Sequence, residues 1–242
     1  MAGYSSREIQ KRGDTDMLAV FDLDGTLVDS PRAILEAFNA TFSAMGKPQK
    51  SAAEIKATIG LPLERAFGNL LGTDSETIAR DAIAEYQKQF KTVILPKSKE
   101  LVFDGVFDGL RQLSADGVKL AIATSKYQKS AEALLEAAGL IGFFSSIVGA
   151  DRVTNPKPHP ESIQKILDEL NAAPGDTIMV GDTSHDVKMA AAAGVRCIAV
   201  TFGVETKEQL KQASPYSIEV AFADVVERLT ADLLAPTTGE NA

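Results

Sequence analysis

FDLDGTLVDS, residues 21–30, decides the fold of this chain. It closes a short apolar run, MLAVFDLD (17–24), in which two carboxylates stand two residues apart and a glycine follows at once. Similar runs recur downstream: VKLAIATS (118–125), SSIVGAD (145–151), TIMVGD (177–182) and VRCIAVTFG (195–203). Each is short, apolar and β-branched, and most end in polar residues, as strands buried on both faces of a parallel sheet do. Helical patterns separate them. Val106, Leu110 and Leu113 share one helix face, and Ile163, Ile166, Leu167 and Leu170 keep the i, i+3, i+4, i+7 spacing. Pro160 stands near the start of that second helix, where a missing N–H costs little. Gly139 and Gly194 each follow an alanine-rich stretch, as helix-terminating glycines do. A last helix carries Phe222, Val225, Val226, Leu229 and Leu233. Strands alternating with helices predict a doubly wound, Rossmann-like α/β sheet with right-handed crossovers.

The alternation breaks once. Residues 31–90 show helical patterns and no convincing strand. The first pattern carries Ile34, Leu35, Phe38, Phe42 and Met45; the second Leu63, Phe67, Leu70 and Leu71; the third Ile78, Ala82, Ile83, Tyr86 and Phe90. A helical cap inserted after strand one is expected, linked to the core near residues 25–31 and 92–104. The division that follows is a core of residues 16–30 and 97–234, a cap of 31–96, a mobile tail at 1–15 and a C-terminal tail at 235–242.

Composition narrows the functional classes. The chain has 242 residues, 45% hydrophobic and 24% charged, enough for a sizeable core. Its net charge of -8 argues against general binding to nucleic acid or anionic membranes. No window approaches the ~20 apolar residues of a membrane span, and the N-terminus lacks the apolar stretch of a secretory signal. The default expectation is a cytoplasmic protein. Cys197, the only cysteine, excludes an internal disulfide and a thiolate zinc site, and its apolar neighbours mark it as a core residue.

In open α/β sheets chemistry gathers beyond the carboxyl ends of the strands. There this sequence places Asp22 and Asp24, Thr124 and Ser125, Lys157, Asp182, and Asp186 four residues further on. Two like charges ~4 Å apart repel by ~4 kcal/mol at an effective dielectric of 20, so such a cluster needs a cation or raised pKa values. Oxygen ligands suit Mg²⁺, and no His/Cys set favours a softer metal. Thr124 and Ser125 offer a hydroxyl and backbone N–H groups at a helix start, an anion site; Lys157 adds a positive charge. Carboxylates, a hard divalent metal, a lysine and amide donors are the parts of phosphoryl transfer. A carboxylate can itself accept the phosphoryl group. Asp22 is the better placed for that, and Asp24 for general acid and then base.

FDLDGTLVDS (21–30), IATSK (122–126), NPKPHPE (155–161) and GDTSHDVKMAAAAG (181–194), in that order, resemble the haloacid dehalogenase superfamily, nearest to its phosphoglycolate-phosphatase-like members. The resemblance covers roughly residues 17–230. It implies a hydrolase of a small phosphate ester, acting through an aspartyl phosphate with Mg²⁺. Asp22 would be nucleophile and metal ligand, and Asp24 the acid/base with its backbone carbonyl on the metal. Thr124 would bond the phosphoryl oxygens, Lys157 would pair with phosphate and Asp22, and Asp182 would complete the metal site with Asp186 beside it. The resemblance also implies that strand one is central in the sheet.

Departures narrow the choice. Haloacid dehalogenases lack an acid at the position of Asp24, and the histidine that mutase-like members commonly carry after the DxDG motif is missing from LVDSPRAILE (27–36). Lys47, Lys50 and Lys56 keep a phosphonatase-type lysine open, and pyrophosphate is a further possible substrate. Outside this family, a phosphoaspartate signalling module combines an acceptor aspartate, Mg²⁺, a Ser/Thr and a lysine on a similar sheet, but is much shorter and has no cap. Asp186 has two readings: metal-site residue, or cap of the helix beginning near Ser184. Arg65 in the cap is a candidate for a second anionic group of the substrate, against the default of a surface arginine. His159 and His185 are assigned no chemistry. Neither substrate identity nor oligomeric state is legible.

Overall fold

The computed structural model describes residues 17–234; the expected tails at 1–15 and 235–242, and residue 16 of the expected core, lie outside the described residues, as does the side chain of Leu233. The six strands are β1 (Leu18–Phe21), β2 (Lys119–Ala123), β3 (Ser146–Val148), β4 (Thr177–Gly181), β5 (Arg196–Val200) and β6 (Ser217–Glu219). They form one parallel sheet in the order β3-β2-β1-β4-β5-β6, so β1 is central. The crossovers use helices α5 (Val106–Ala115), α6 (Gln128–Ala138), α7 (Glu161–Leu170), α8 (Ser184–Ala192) and α9 (Lys207–Gln212), and α10 (Phe222–Leu234) follows β6.

Successive side chains of a strand point to opposite faces, so each central strand feeds two cores. Ala19 and Phe21 belong to a core that includes Leu110, Leu113 and Leu134, with Phe21 and Phe222 rings 6.0 Å apart. Leu18 and Val20 pack with Ile163, Ile166, Val187 and Cys197 on the other face. This is the doubly wound arrangement expected. The sequence reading missed β6, a three-residue, half-buried edge strand whose Ser217-Ile218-Glu219 holds one apolar residue. Short edge strands give little pattern to read.

The break in alternation is an all-helical insertion: α1 (Pro31–Ala44), α2 (Ala52–Lys56), α3 (Leu63–Leu71) and α4 (Glu76–Gln89), then a π-helical turn at Phe90–Ile94 and a 3₁₀ turn at Leu95–Lys97. Of these, α2 was not foreseen. It has five residues and one buried side chain, Ile55, but its start was written in the capping box Ser51-x-x-Glu54. An aromatic cluster ties α1, α3 and α4 together: Phe38 lies 4.9 Å from Phe67 and 4.8 Å from Tyr86, ring centre to ring centre. The two linkers pair with each other. Val28 bridges Val102 antiparallel, Asp29 N–H donates to the Leu101 carbonyl (2.6 Å), and Phe103 N–H donates to that of Leu27 (3.1 Å). Among the described residues no helix is long and apolar enough to cross a membrane.

Phe67 is fully buried and touches Phe38, Phe42 and Tyr86. Truncating it empties the centre of the insertion. Phe67→Ala is expected to lower the unfolding free energy by about 3–5 kcal/mol, measured by urea denaturation followed by circular dichroism.

Candidate active site

Each acidic residue of the site is fixed by the element that carries it. Asp22 is still in the ladder of β1, its N–H donating to the Val180 carbonyl (2.9 Å). The chain must then turn, and Gly25 does so with φ +86°. No other residue fits: a Cβ there would fall on the Asp182 carboxylate, and left-handed backbone is costly for an L side chain. Asp182 follows β4, the neighbour of β1. Its Oδ1 accepts from the Thr26 hydroxyl (3.1 Å) and its Oδ2 from the Val204 N–H (2.8 Å). Asp186 is the third residue of α8 and closes a capping box with Thr183. A Cβ on Gly181 would collide with it, so that glycine lets the strand end and the helix start approach.

Lys157 joins these groups. It lies between Pro156 and Pro158 in the loop before α7 and is 4% exposed. Its Nζ is 3.0 Å from Asp22 Oδ1 and 2.6 Å from Asp186 Oδ1. Asp22 Oδ1 also accepts from the Leu23 N–H (2.7 Å), and no hydrogen bond reaches Asp22 Oδ2 among the described residues.

Asp22, Asp182 and Asp186 are all buried, with one oxygen of each within 4.8 Å of the others. Three carboxylates against one lysine leave the group over-negative. Burial therefore pushes the Asp22 carboxyl up to about 6, against the pull of Lys157 and with a further push from Asp186. Burial, with Asp186 and Asp22 adding, pushes Asp182 well above the usual carboxylate range. For Lys157 burial works against the charged form, but Asp186 and Asp22 outweigh it and the ammonium is raised. Buried, oxygen-only donors of excess negative charge suit a hard divalent cation.

The structure brings together Asp22, Lys157, Asp182 and Asp186 as the sequence implied. It assigns Asp186 oxygens that are both in use, Oδ1 on Lys157 and Oδ2 accepting from the Thr183 N–H (3.0 Å) and hydroxyl (2.7 Å). The helix-capping reading of Asp186 is thus realised. The Asp24 carboxylate stands apart from this trio. Its Oδ1 accepts from the Ser30 hydroxyl (2.6 Å) and its Oδ2 pairs with Lys126 Nζ (2.9 Å).

Above these groups lies a narrow cleft of ≈ 60 Å³. The strand ends contribute Asp22, Asp24 and Thr124, and the insertion contributes Phe38, Tyr86 and Phe90. Thr124 is nearly buried and its Oγ1 accepts from the Lys126 N–H (3.2 Å), which leaves its own hydrogen to donate. Ser125 faces the insertion. Its hydroxyl is committed to the insertion, donating to the Gly60 carbonyl (2.7 Å), so only its backbone N–H remains for an anion. Arg65 keeps to the default of a surface arginine. It is exposed and lines two outer grooves, because α3 turns Ala66, Phe67 and Leu70 inward and leaves Glu64 and Arg65 on its outer face. Lys126 was not singled out from the sequence, although it is the residue after Ser125. Its role depends on the docking of the insertion, since its Nζ sits 5.2 Å from the Phe90 ring centre.

A doubly wound sheet with an all-helical insertion after its first strand, and aspartates and a lysine at the strand ends, defines a haloacid dehalogenase-like hydrolase. The family model of that description matches residues 19–200, and the chain belongs to this family. It is similar to the probable phosphatase IndB of Dickeya dadantii, 47% identical over 211 residues, covering 86% of this chain and 91% of that protein. It is also similar to a phosphoglycolate phosphatase of Colwellia psychrerythraea, 30% identical over 203 residues, covering 81% and 89%. A haloacid dehalogenase-like hydrolase of known structure from Streptococcus pneumoniae superposes with a TM-score of 0.73 at 30% identity, covering 88% and 98%. The chain is an enzyme, a hydrolase of the phosphatase type.

The raised carboxyl of Asp22 gives a pH test. The folded state holds that proton more tightly than the unfolded chain, whose value is near 3.8. The stabilisation is complete below the unfolded value and is lost as pH rises through about 6. A divalent cation that neutralises the ionised cluster is therefore expected to raise Tm more at about pH 7.5 than at about pH 5. Differential scanning fluorimetry with MgCl₂ or chelator measures the increment, and Asp22→Asn is expected to shrink its pH dependence.

Proposed function

We propose that the protein is a cytoplasmic, Mg²⁺-dependent phosphomonoesterase that hydrolyses a small organic phosphate through an aspartyl phosphate on Asp22, with residues 31–96 serving as the cap. The observation that carries this reading is the buried junction of Asp22 with Lys157, 3.0 Å apart, beneath a cleft that also exposes Asp24 and Thr124. Asp22, Asp182 and the backbone carbonyl of Asp24 would hold the metal. When bound there, Mg²⁺ supplies positive charge that offsets the carboxylates and draws in a phosphate dianion. Asp186 supports the site from behind by fixing Lys157 and the start of α8.

The chemistry balances in two steps. An oxygen of Asp22 attacks phosphorus and the P–O ester bond breaks, while Asp24 passes a proton to the departing oxygen. Asp24 then takes a proton from water as that water attacks phosphorus. The Asp22–phosphorus bond breaks, phosphate leaves, and both carboxyl groups return to their first state. Lys157, the Thr124 hydroxyl and the Ser125 N–H hold the phosphoryl oxygens throughout. The relatives' names make phosphoglycolate a reference ester for the enzyme. The insertion roofs the cleft, which suits small molecules better than phosphorylated protein surfaces.

Asp22→Asn is expected to abolish phosphate release, and chelation to abolish it reversibly, with Mg²⁺ restoring it. Asp24→Asn is expected to slow turnover by ~10²–10⁴-fold and to let a phosphorylated protein accumulate, seen by intact-mass spectrometry as the addition of one phosphoryl group. Full turnover by Asp22→Asn, with deamidation excluded by the same mass measurement, would overturn the assignment.

A further inference from the structure

The cap wall of the cleft carries a second kind of information, about the part of the substrate that is not phosphate. Resting on the phosphatase reading above, we infer that this part is neutral and largely apolar, not a carboxylate or a second phosphate. Most of the wall is built by Ile34, Phe38, Leu63, Tyr86 and Phe90 of the insertion, with Thr58 and the Ile59-Gly60-Leu61 turn completing it. None carries a positive charge. Tyr86 is 95% buried by its 5% exposure, and burial raises its phenol, so its ring faces the site uncharged.

Among the described residues lining the cleft, Lys126 is the one cation. It already has a partner: its Nζ pairs with Asp24 at 2.9 Å and lies over the Phe90 ring. Lys157, below the cleft, is taken by Asp22 and Asp186. Arg65, the cap cation that would have met a second anionic group, lines the outer grooves instead. A substrate carboxylate entering this wall would lose its hydration without gaining a counter-charge, unless it drew Lys126 away from Asp24 and left that carboxylate unpaired. An alkyl or aryl group loses nothing by desolvation and gains contact with the rings of Phe38 and Phe90.

The test compares benzyl phosphate, n-propyl phosphate and phosphoglycolate, whose leaving groups are all alkoxides, with saturating Mg²⁺ and the full-length enzyme. The expected result is a kcat/KM for benzyl phosphate at least ~10-fold above that for phosphoglycolate, the range that unmatched groups in a binding site produce. Leu63 is only partly buried, so Leu63→Lys can bring a cation to the wall. That variant is expected to narrow the ratio by ~10-fold or to invert it, while Leu63→Met, the folding control, keeps the wild-type order. A wild-type ratio below ~10, or a ratio in Leu63→Lys that equals that of Leu63→Met, overturns the inference. Hydrolysis of phosphoglycolate in preference to both neutral esters overturns it while keeping the phosphatase reading; hydrolysis of none of the three overturns both.

Discussion

The structure depends on one buried ammonium. Asp22, Asp182 and Asp186 occupy a volume in which three negative charges repel, and Lys157 is the protein's own answer to that repulsion. One positive charge among three carboxylates leaves the cluster unsatisfied. Burial first, and the neighbouring carboxylates after it, raise the carboxyl groups of Asp22 and Asp182. A cluster that is fully compensated within the chain has no electrostatic reason to take up a cation. This one is built to remain short of compensation, and the strain is held by a sheet buried on both faces.

The sheet order makes the cluster possible. Because β1 lies between β2 and β4, the residues just beyond all three strand ends converge on one spot. Asp22 comes from the centre, Thr124 from one neighbour and Asp182 from the other. Two close approaches then tighten the group. Gly25 gives way to Asp182, and Gly181 gives way to Asp186. A side chain at either position would push apart groups whose value lies in their proximity.

What the sequence disclosed follows from this geometry. Asp22, Asp182 and Lys157 were legible because their places are set by strand ends and by the loop before α7, which local patterns mark. Asp186 was legible as both site residue and helix cap, and it serves as the cap while holding Lys157. Lys126 and the use of the Ser125 hydroxyl were not legible. Each depends on how the insertion sits over the core, a long-range matter that no local periodicity encodes. Ser125 spends its hydroxyl on the Gly60 carbonyl, and Lys126 turns toward Asp24 and Phe90. Arg65 lies about 100° of helical rotation from the buried Ala66 and about 200° from the buried Phe67. β6 was missed for a different reason, since three residues with one apolar side chain carry no period at all.

The paired linkers at Val28 and Val102 have a consequence for how such a protein changes over time. The chain leaves the sheet and returns to it through the same two-stranded strap. Everything between is therefore a closed excursion whose ends are already neighbours. The entropy of closing such an excursion rises only with the logarithm of its length, about 0.6 kcal/mol for each doubling. In that respect the core is almost indifferent to how many residues lie beyond the strap. One catalytic base can in this way carry heads of very different size and shape, and exchange one for another without being rebuilt.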